Sequence, residues 1–117
     1  MALEDAMELR AVMARWEVTR ARWALNPAEE SALLGGTGFE GPVAEPASWQ
    51  AVRLERRMRL LVELGDGLEL LMRGEAEIRR WLRRPMRGIG LCRPIDVMEE
   101  STEWIRRLRD AVRDFLP

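Results

Sequence analysis

Trp81-Leu82-Arg83-Arg84-Pro85, followed by Met86-Arg87-Gly88-Ile89-Gly90-Leu91-Cys92 and then Arg93-Pro94-Ile95-Asp96-Val97-Met98, decides the fold class. Pro85 disfavours helical backbone at the residue before it and ends whatever helix carries Trp81 and Leu82. Pro94 suits the first helical position, and Asp96 falls in the first turn, where the helix dipole favours a carboxylate. The stretch therefore reads as helix, crossing loop, helix.

The same reading extends in both directions. Upstream, a helix over about 74–84 turns Ile78, Trp81 and Leu82 inward. Before it, a long helix runs from about Ser48 to Met72. Leu54, Met58, Leu61, Leu68 and Met72 form its stripe, and Leu60, Leu64 and Leu71 widen it. Gly65-Asp66-Gly67 is a weak point where a kink or break is expected. Downstream, Ile95–Glu100 is a short helix. Thr102–Leu116 is the last, with Trp104/Ile105, Leu108, Ala111/Val112 and Phe115 inward.

The N-terminal part is also helical. Leu9, Val12/Met13, Trp16 and Trp23 recur at helical steps between Leu3 and Trp23. Asn26-Pro27-Ala28-Glu29 is a capping signal, with Asn26 as cap, Pro27 at the first position and Glu29 as the returning carboxylate. Ala32, Leu33 and Leu34 follow as the buried face, and Gly35-Gly36 stops the helix. Four Gly and two Pro between Gly35 and Ser48 exclude a regular helix there and leave a long loop. No strand alternation occurs. The fold class is all-α, a compact bundle of about five to six helices. It divides into an N-terminal helical region, 1–50, and a C-terminal helical domain, 51–117.

Composition narrows the chemistry. At 117 residues the chain is one domain in size, with 47% hydrophobic and 33% charged residues, as in ordinary globular chains. The 19 basic residues are all Arg and nearly cancel 20 acids, so no large basic footprint exists. There is no His, which removes the usual general base and the commonest metal ligand. Cys92 is the single cysteine, so neither a disulfide nor a His/Cys zinc site can form within the chain. Neither a nucleophile motif nor a Gly-rich phosphate cradle is present, so no enzyme activity, metal or cofactor is expected. No signal-peptide pattern or membrane-length apolar run appears, and the expected compartment is the cytosol.

The Trp-Leu-x-x-Pro stop, the Gly-containing loop and the Pro-Ile-Asp-Val-Met start resemble the toxin-binding domain of the MbcA/ParS/Xre antitoxin family. The resemblance covers roughly Leu54 to Phe115. Met86 stands where the family often has Asn, and Ile89 separates two glycines that are usually adjacent. The resemblance implies a partner, a RES-domain toxin that consumes NAD or transfers ADP-ribose from it. It implies neutralisation by covering the toxin's active site with the C-terminal segment. On that carry-over Trp104, Arg107, Phe115, Leu116 and Pro117 are candidate toxin-binding residues; Trp104 and Phe115 suit core closure equally well. It also implies a homodimer and a toxin–antitoxin hetero-oligomer.

Charge gives a separate hint. Arg73 to Arg93 contains seven arginines against Glu75 and Glu77. Trp81, Arg84, Arg87 and Arg93 join the candidate toxin-binding set, because Trp and Arg recur as interface anchors. A solvated helix face is the alternative. Leu25 to Gly35 resembles the first helix of an Xre-type helix-turn-helix, which suggests a DNA-binding autorepressor as a second function. The interval between Arg22 and Arg53 nevertheless holds no Arg and four Glu (Glu29, Glu30, Glu40, Glu45), which would repel a duplex. A degenerate helix-turn-helix is therefore expected. Any DNA contact would fall to Arg53, Arg56 and Arg57.

Overall fold

The computed structural model describes residues 3–35 and 47–116, with side chains from 8 to 35 and from 51 to 116. Among the described residues six α-helices follow one another: α1 Leu3–Arg22, α2 Pro27–Gly35, α3 Ala47–Leu71, α4 Glu75–Arg83, α5 Pro94–Glu100 and α6 Thr102–Asp114. A single 3-10 turn, Arg87–Ile89, lies between α4 and α5. The expected loop before α3, from Gly35 to Ser48, lies mostly outside the described residues.

The helix ends follow local chemistry. The Asn26 side chain accepts from the Glu29 N–H at 2.7 Å, and the Glu29 carboxylate accepts from the Asn26 N–H at 3.0 Å. This is the reciprocal capping box read from the sequence. Ser101 caps α6 by accepting from the Trp104 N–H at 3.1 Å. Gly74, at φ 112°, makes the bend into α4 that a side chain would strain. The end of α1 uses no glycine. Ala24 takes φ 54°, its N–H donating to the Ala21 carbonyl and that of Leu25 to the Arg20 carbonyl. That is a Schellman cap with alanine at the left-handed position.

Helix α3 is the axis of the molecule. Its 25 residues span about 37 Å, close to the longest dimension of 39 Å. Along the α1–α3 seam the partners ascend together: Glu8 with Arg59, Arg15 with Asp66, Arg22 with Glu69. Along α3–α6 they ascend together too: Arg57 with Thr102, Glu63 with Arg109, Gly67 facing Val112. The three longest helices therefore run parallel, and residues 72–101 form the crossover that returns the chain to the start of α6.

Expectation and structure differ at Gly65-Asp66-Gly67, where α3 continues unbroken. The glycines serve close approach instead. A Cβ on Gly67 would stand 2.7 Å from Val112 Cγ1, and one on Gly65 would stand 3.0 Å from Thr19 Cγ2. Neighbouring helices pack directly on this segment, α1 at Gly65 and α6 at Gly67.

One core joins both ends of the chain. Val12, Trp16, Trp23 and Leu33 cluster with Met58, Leu61, Leu64, Leu68, Ile78, Leu82, Ile95, Met98, Ile105, Leu108 and Val112. The division at residue 50 therefore does not separate two cores. Trp16 meets Trp23 edge-on at 6.3 Å, and the Trp16 indole N–H donates to Glu30 at 3.0 Å, tying α1 to α2. Several residues expected inward lie further out. Phe115 is 78% exposed, Met13, Leu54, Leu71 and Ala111 are exposed, and Trp81 and Trp104 are half-buried at the rim. The α6 core face closes at Val112, and Phe115, one turn on, lies beyond it.

Candidate functional site

The α4–α5 crossover carries the first group of candidate residues. Pro85 and Pro94 bound it, and an isolated antiparallel bridge between Met86 and Cys92 pinches it shut. The Met86 N–H donates to the Cys92 carbonyl at 3.0 Å, and the Leu91 N–H donates to the Met86 carbonyl at 2.8 Å. Ile89 packs on the core. Gly90 and Leu91 then both take left-handed backbone, at φ 69° and 64°. Leu91 is left 66% exposed.

Apart from Arg73, which precedes α4 and is exposed, the arginines of this segment divide into two sets. Arg79 donates to the Arg22 carbonyl at 2.8 Å, and Arg83 to the Ala24 carbonyl and Glu29, each at 3.3 Å. These bonds tie α4 to the end of α1, where the dipole favours cations. Arg93 forks onto Asp96 with two bonds of 2.8 Å, and this bond holds the Asp96 carboxyl below its ordinary pKa. Among the described residues no carboxylate pairs with Arg80, Arg84 or Arg87, and all three are exposed. The positive charge of the segment is thus concentrated at the C-terminal end of α4 and the loop beyond it.

The second group lies on α6. Trp104, Arg107, Ala111 and Phe115 are three or four residues apart and share one flank. The flank runs about 16 Å along the helix axis. Arg107 stacks over the Trp104 ring at 5.2 Å. Glu103 accepts from Arg106 at 2.7 Å, and this bond holds its carboxyl below the ordinary range. Leu116 is half-buried, and Pro117 lies outside the described residues. The structure therefore brings Trp104, Arg107 and Phe115 onto one face and keeps Trp81, Arg84, Arg87 and Arg93 on another element. Among the described residues no hydrogen bond, ion pair or ring contact joins the two groups.

Arg57 departs from the expectation of a DNA contact. It is 3% exposed and sits where helix ends converge. Its Nε donates to the Leu33 carbonyl at 2.6 Å and its Nη2 to the Met98 carbonyl at 2.6 Å, with Thr102 Oγ1 at 3.3 Å from Nη1. The guanidinium is committed to the C-terminal ends of α2 and α5 and is out of reach of a phosphate. A sequence signal existed: position 57 falls between Leu54 and Leu61 on the apolar stripe of α3. Arg53 is half-buried and Arg56 exposed. Arg56 lines a shallow groove of about 330 Å³ with Val52, Glu55, Arg59, Leu60, Glu63 and Arg109. Ion pairs of Arg59 with Glu55 at 2.7 Å and Arg109 with Glu63 at 2.6 Å neutralise most of its charge.

Among the described residues no three Cys, Asp or Glu side chains are grouped to hold a metal ion, and no helix is long and apolar enough to cross a membrane. Among the described residues, fold and surface define a compact all-α protein with one core and two separate surface groups of Arg and apolar side chains, each with a half-buried Trp. No family model, curated protein or solved structure matches the chain.

Proposed function

We propose that this chain is an antitoxin: it binds a RES-domain toxin that consumes NAD or transfers ADP-ribose from it, and neutralises it by covering its active site with the C-terminal flank of α6. The observation that carries this reading is Phe115, a large aromatic left 78% exposed one turn beyond the last core residue of its helix. Arg107, laid over Trp104 on the same flank, adds a planar cation beside an aromatic surface. Aromatic and guanidinium groups together suit a cleft with apolar walls and carboxylates. The chain acts by binding and turns over no substrate itself. Exposed Val52, Leu54, Leu70 and Leu71 on α3 favour self-association into a homodimer within a toxin–antitoxin complex. DNA autorepression is the weaker reading, because Arg57 is committed to the core and most of the charge in the groove beside Arg56 is paired.

The test is co-expression of a RES-domain toxin with the full chain and with a chain ending at Asp114. The shorter chain should keep the thermal stability of the parent and lose neutralisation. Full neutralisation by the shorter chain refutes occlusion by the C-terminal flank. Substrate turnover by the purified chain alone refutes the antitoxin reading itself.

A further inference from the structure

We infer that the α4–α5 loop is a preformed anchor for an acidic protein surface, with Leu91 entering an apolar recess and Arg80, Arg84 and Arg87 meeting carboxylates around it. The inference rests on the reading that this chain binds a protein. It adds a second contact, on a different element from the α6 flank.

Leu91 carries two costs that folding leaves uncompensated. Left-handed backbone is unfavourable for a bulky residue and is ordinarily given to Gly or Asn. The side chain placed there is 66% exposed and takes no part in the core. Other exposed apolar residues, such as Val18 and Val52, lie on long helices in ordinary backbone. Leu91 instead stands in a loop of five described residues closed by the Met86–Cys92 bridge and anchored beneath by Ile89. Strain held by surrounding structure is a mark of functional positions. A loop already fixed in one shape loses little entropy when a partner meets it.

The charges point to the partner's chemistry. Arg80 lies in the last turn of α4, and Arg84 follows as its C-cap in extended backbone. Arg87 opens the 3-10 turn next to them. The local carboxylates are already engaged: Glu29 with Arg83, Glu75 with Arg79 and Asp96 with Arg93. Three unpaired guanidinium forks on the segment that leads into the exposed Leu91 complement carboxylates beside an apolar patch. A duplex fits less well, because the chain has a net charge of −1 and nucleic-acid affinity grows with the number of phosphates neutralised.

A random dodecapeptide library displayed on phage, panned against the full chain, supplies the probe. A short fluorescein-labelled DNA duplex is the second arm. Enriched peptides should combine Asp or Glu with aliphatic or aromatic residues. Their affinity should fall about tenfold or more for Leu91→Gly and for Arg84→Glu/Arg87→Glu. Leu91→Gly should melt at the parent temperature or above it, because glycine relieves the left-handed strain. Binding lost with stability kept is the expected signature.

No enrichment, or peptides indifferent to both variants, overturns the inference. So does a lower melting temperature for Leu91→Gly, which makes the side chain structural. Loop-dependent duplex binding assigns the surface to nucleic acid. Loop-dependent dimerisation in sedimentation assigns it to a second copy. If a RES-domain toxin is neutralised equally by the loop variants, the anchor falls and the antitoxin reading stands. If acidic peptides bind through the loop but no RES-domain toxin is bound, the antitoxin reading falls and the anchor stands.

Discussion

Arg57 is the most consequential single side chain. Burial, reinforced by the charge of Arg53, lowers its pKa from the ordinary guanidinium value, yet the group stays charged. What compensates it is a set of carbonyls at two helix C-termini, each carrying partial negative charge. Arg57→Met should destabilise by about 2–4 kcal/mol, because the Leu33 and Met98 carbonyls lose their donor in the interior. Arg57→Lys should rescue little, since an ammonium lacks the planar fork; urea unfolding of both variants checks this. Ala24 works in the other direction. Its left-handed φ of 54° at the C-cap of α1 means Ala24→Gly should raise stability, by about 0.5–1 kcal/mol. Glu99 gives a pH test. Desolvation first, then the charges of Asp96 and Glu29, raise its pKa above the ordinary carboxylate value, with Arg93 and Arg57 opposing. A carboxyl with a raised folded pKa holds its proton more tightly when folded. Its contribution to stability is therefore complete below the ordinary value and lost as pH rises through the raised one. Glu99→Gln should raise the melting temperature at neutral pH and leave it unchanged in acid; a gain at both pH values removes the electrostatic explanation.

At the scale of the element, α3 is continuous because its two weakest residues are the ones its neighbours need. Glycine inside a helix costs about 1 kcal/mol relative to alanine. Here that cost admits Val112 of α6 and Thr19 of α1 to the α3 backbone. Gly67→Ala gains helix propensity but drives a Cβ to 2.7 Å from a stiff β-branched side chain. Overpacking costs about 1–3 kcal/mol, so the net effect is destabilising. Gly67→Ala/Val112→Ala should recover part of the loss by removing the clash, and thermal melts of the single and double variants decide it. The propensity rule pointed to a break at this tripeptide because a single helix was all it considered. The capping box at Asn26 and the proline start at Pro94 were legible for the converse reason: each is complete within four residues.

For the whole molecule, parallel α1, α3 and α6 require two long returns, and the return through α4 and α5 is fastened to the N-terminal helices. Arg79 and Arg83 bind carbonyls at the end of α1, and Arg57 joins α2 to α5. The chain should therefore unfold as one unit. Tryptophan fluorescence and far-ultraviolet circular dichroism should give coincident urea transitions. A fragment of residues 51–117 should fail to show a cooperative transition, because it loses the cover of Trp16, Trp23 and Leu33. A cooperative fragment refutes a shared core.

The helices, their order and most of the faces they bury were legible in the sequence, since period, caps and prolines act within a few residues. Sequence alone did not determine that Phe115 stays outside, that Arg57 turns inward or that Leu91 is held in left-handed backbone. Each of those depends on which helix lies opposite and where the neighbouring helix ends, quantities set only when distant segments pack. The charge of the arginine-rich segment was legible as a total. Which guanidiniums remain free was decided by the carboxylates and carbonyls that the tertiary structure brought within reach of the others.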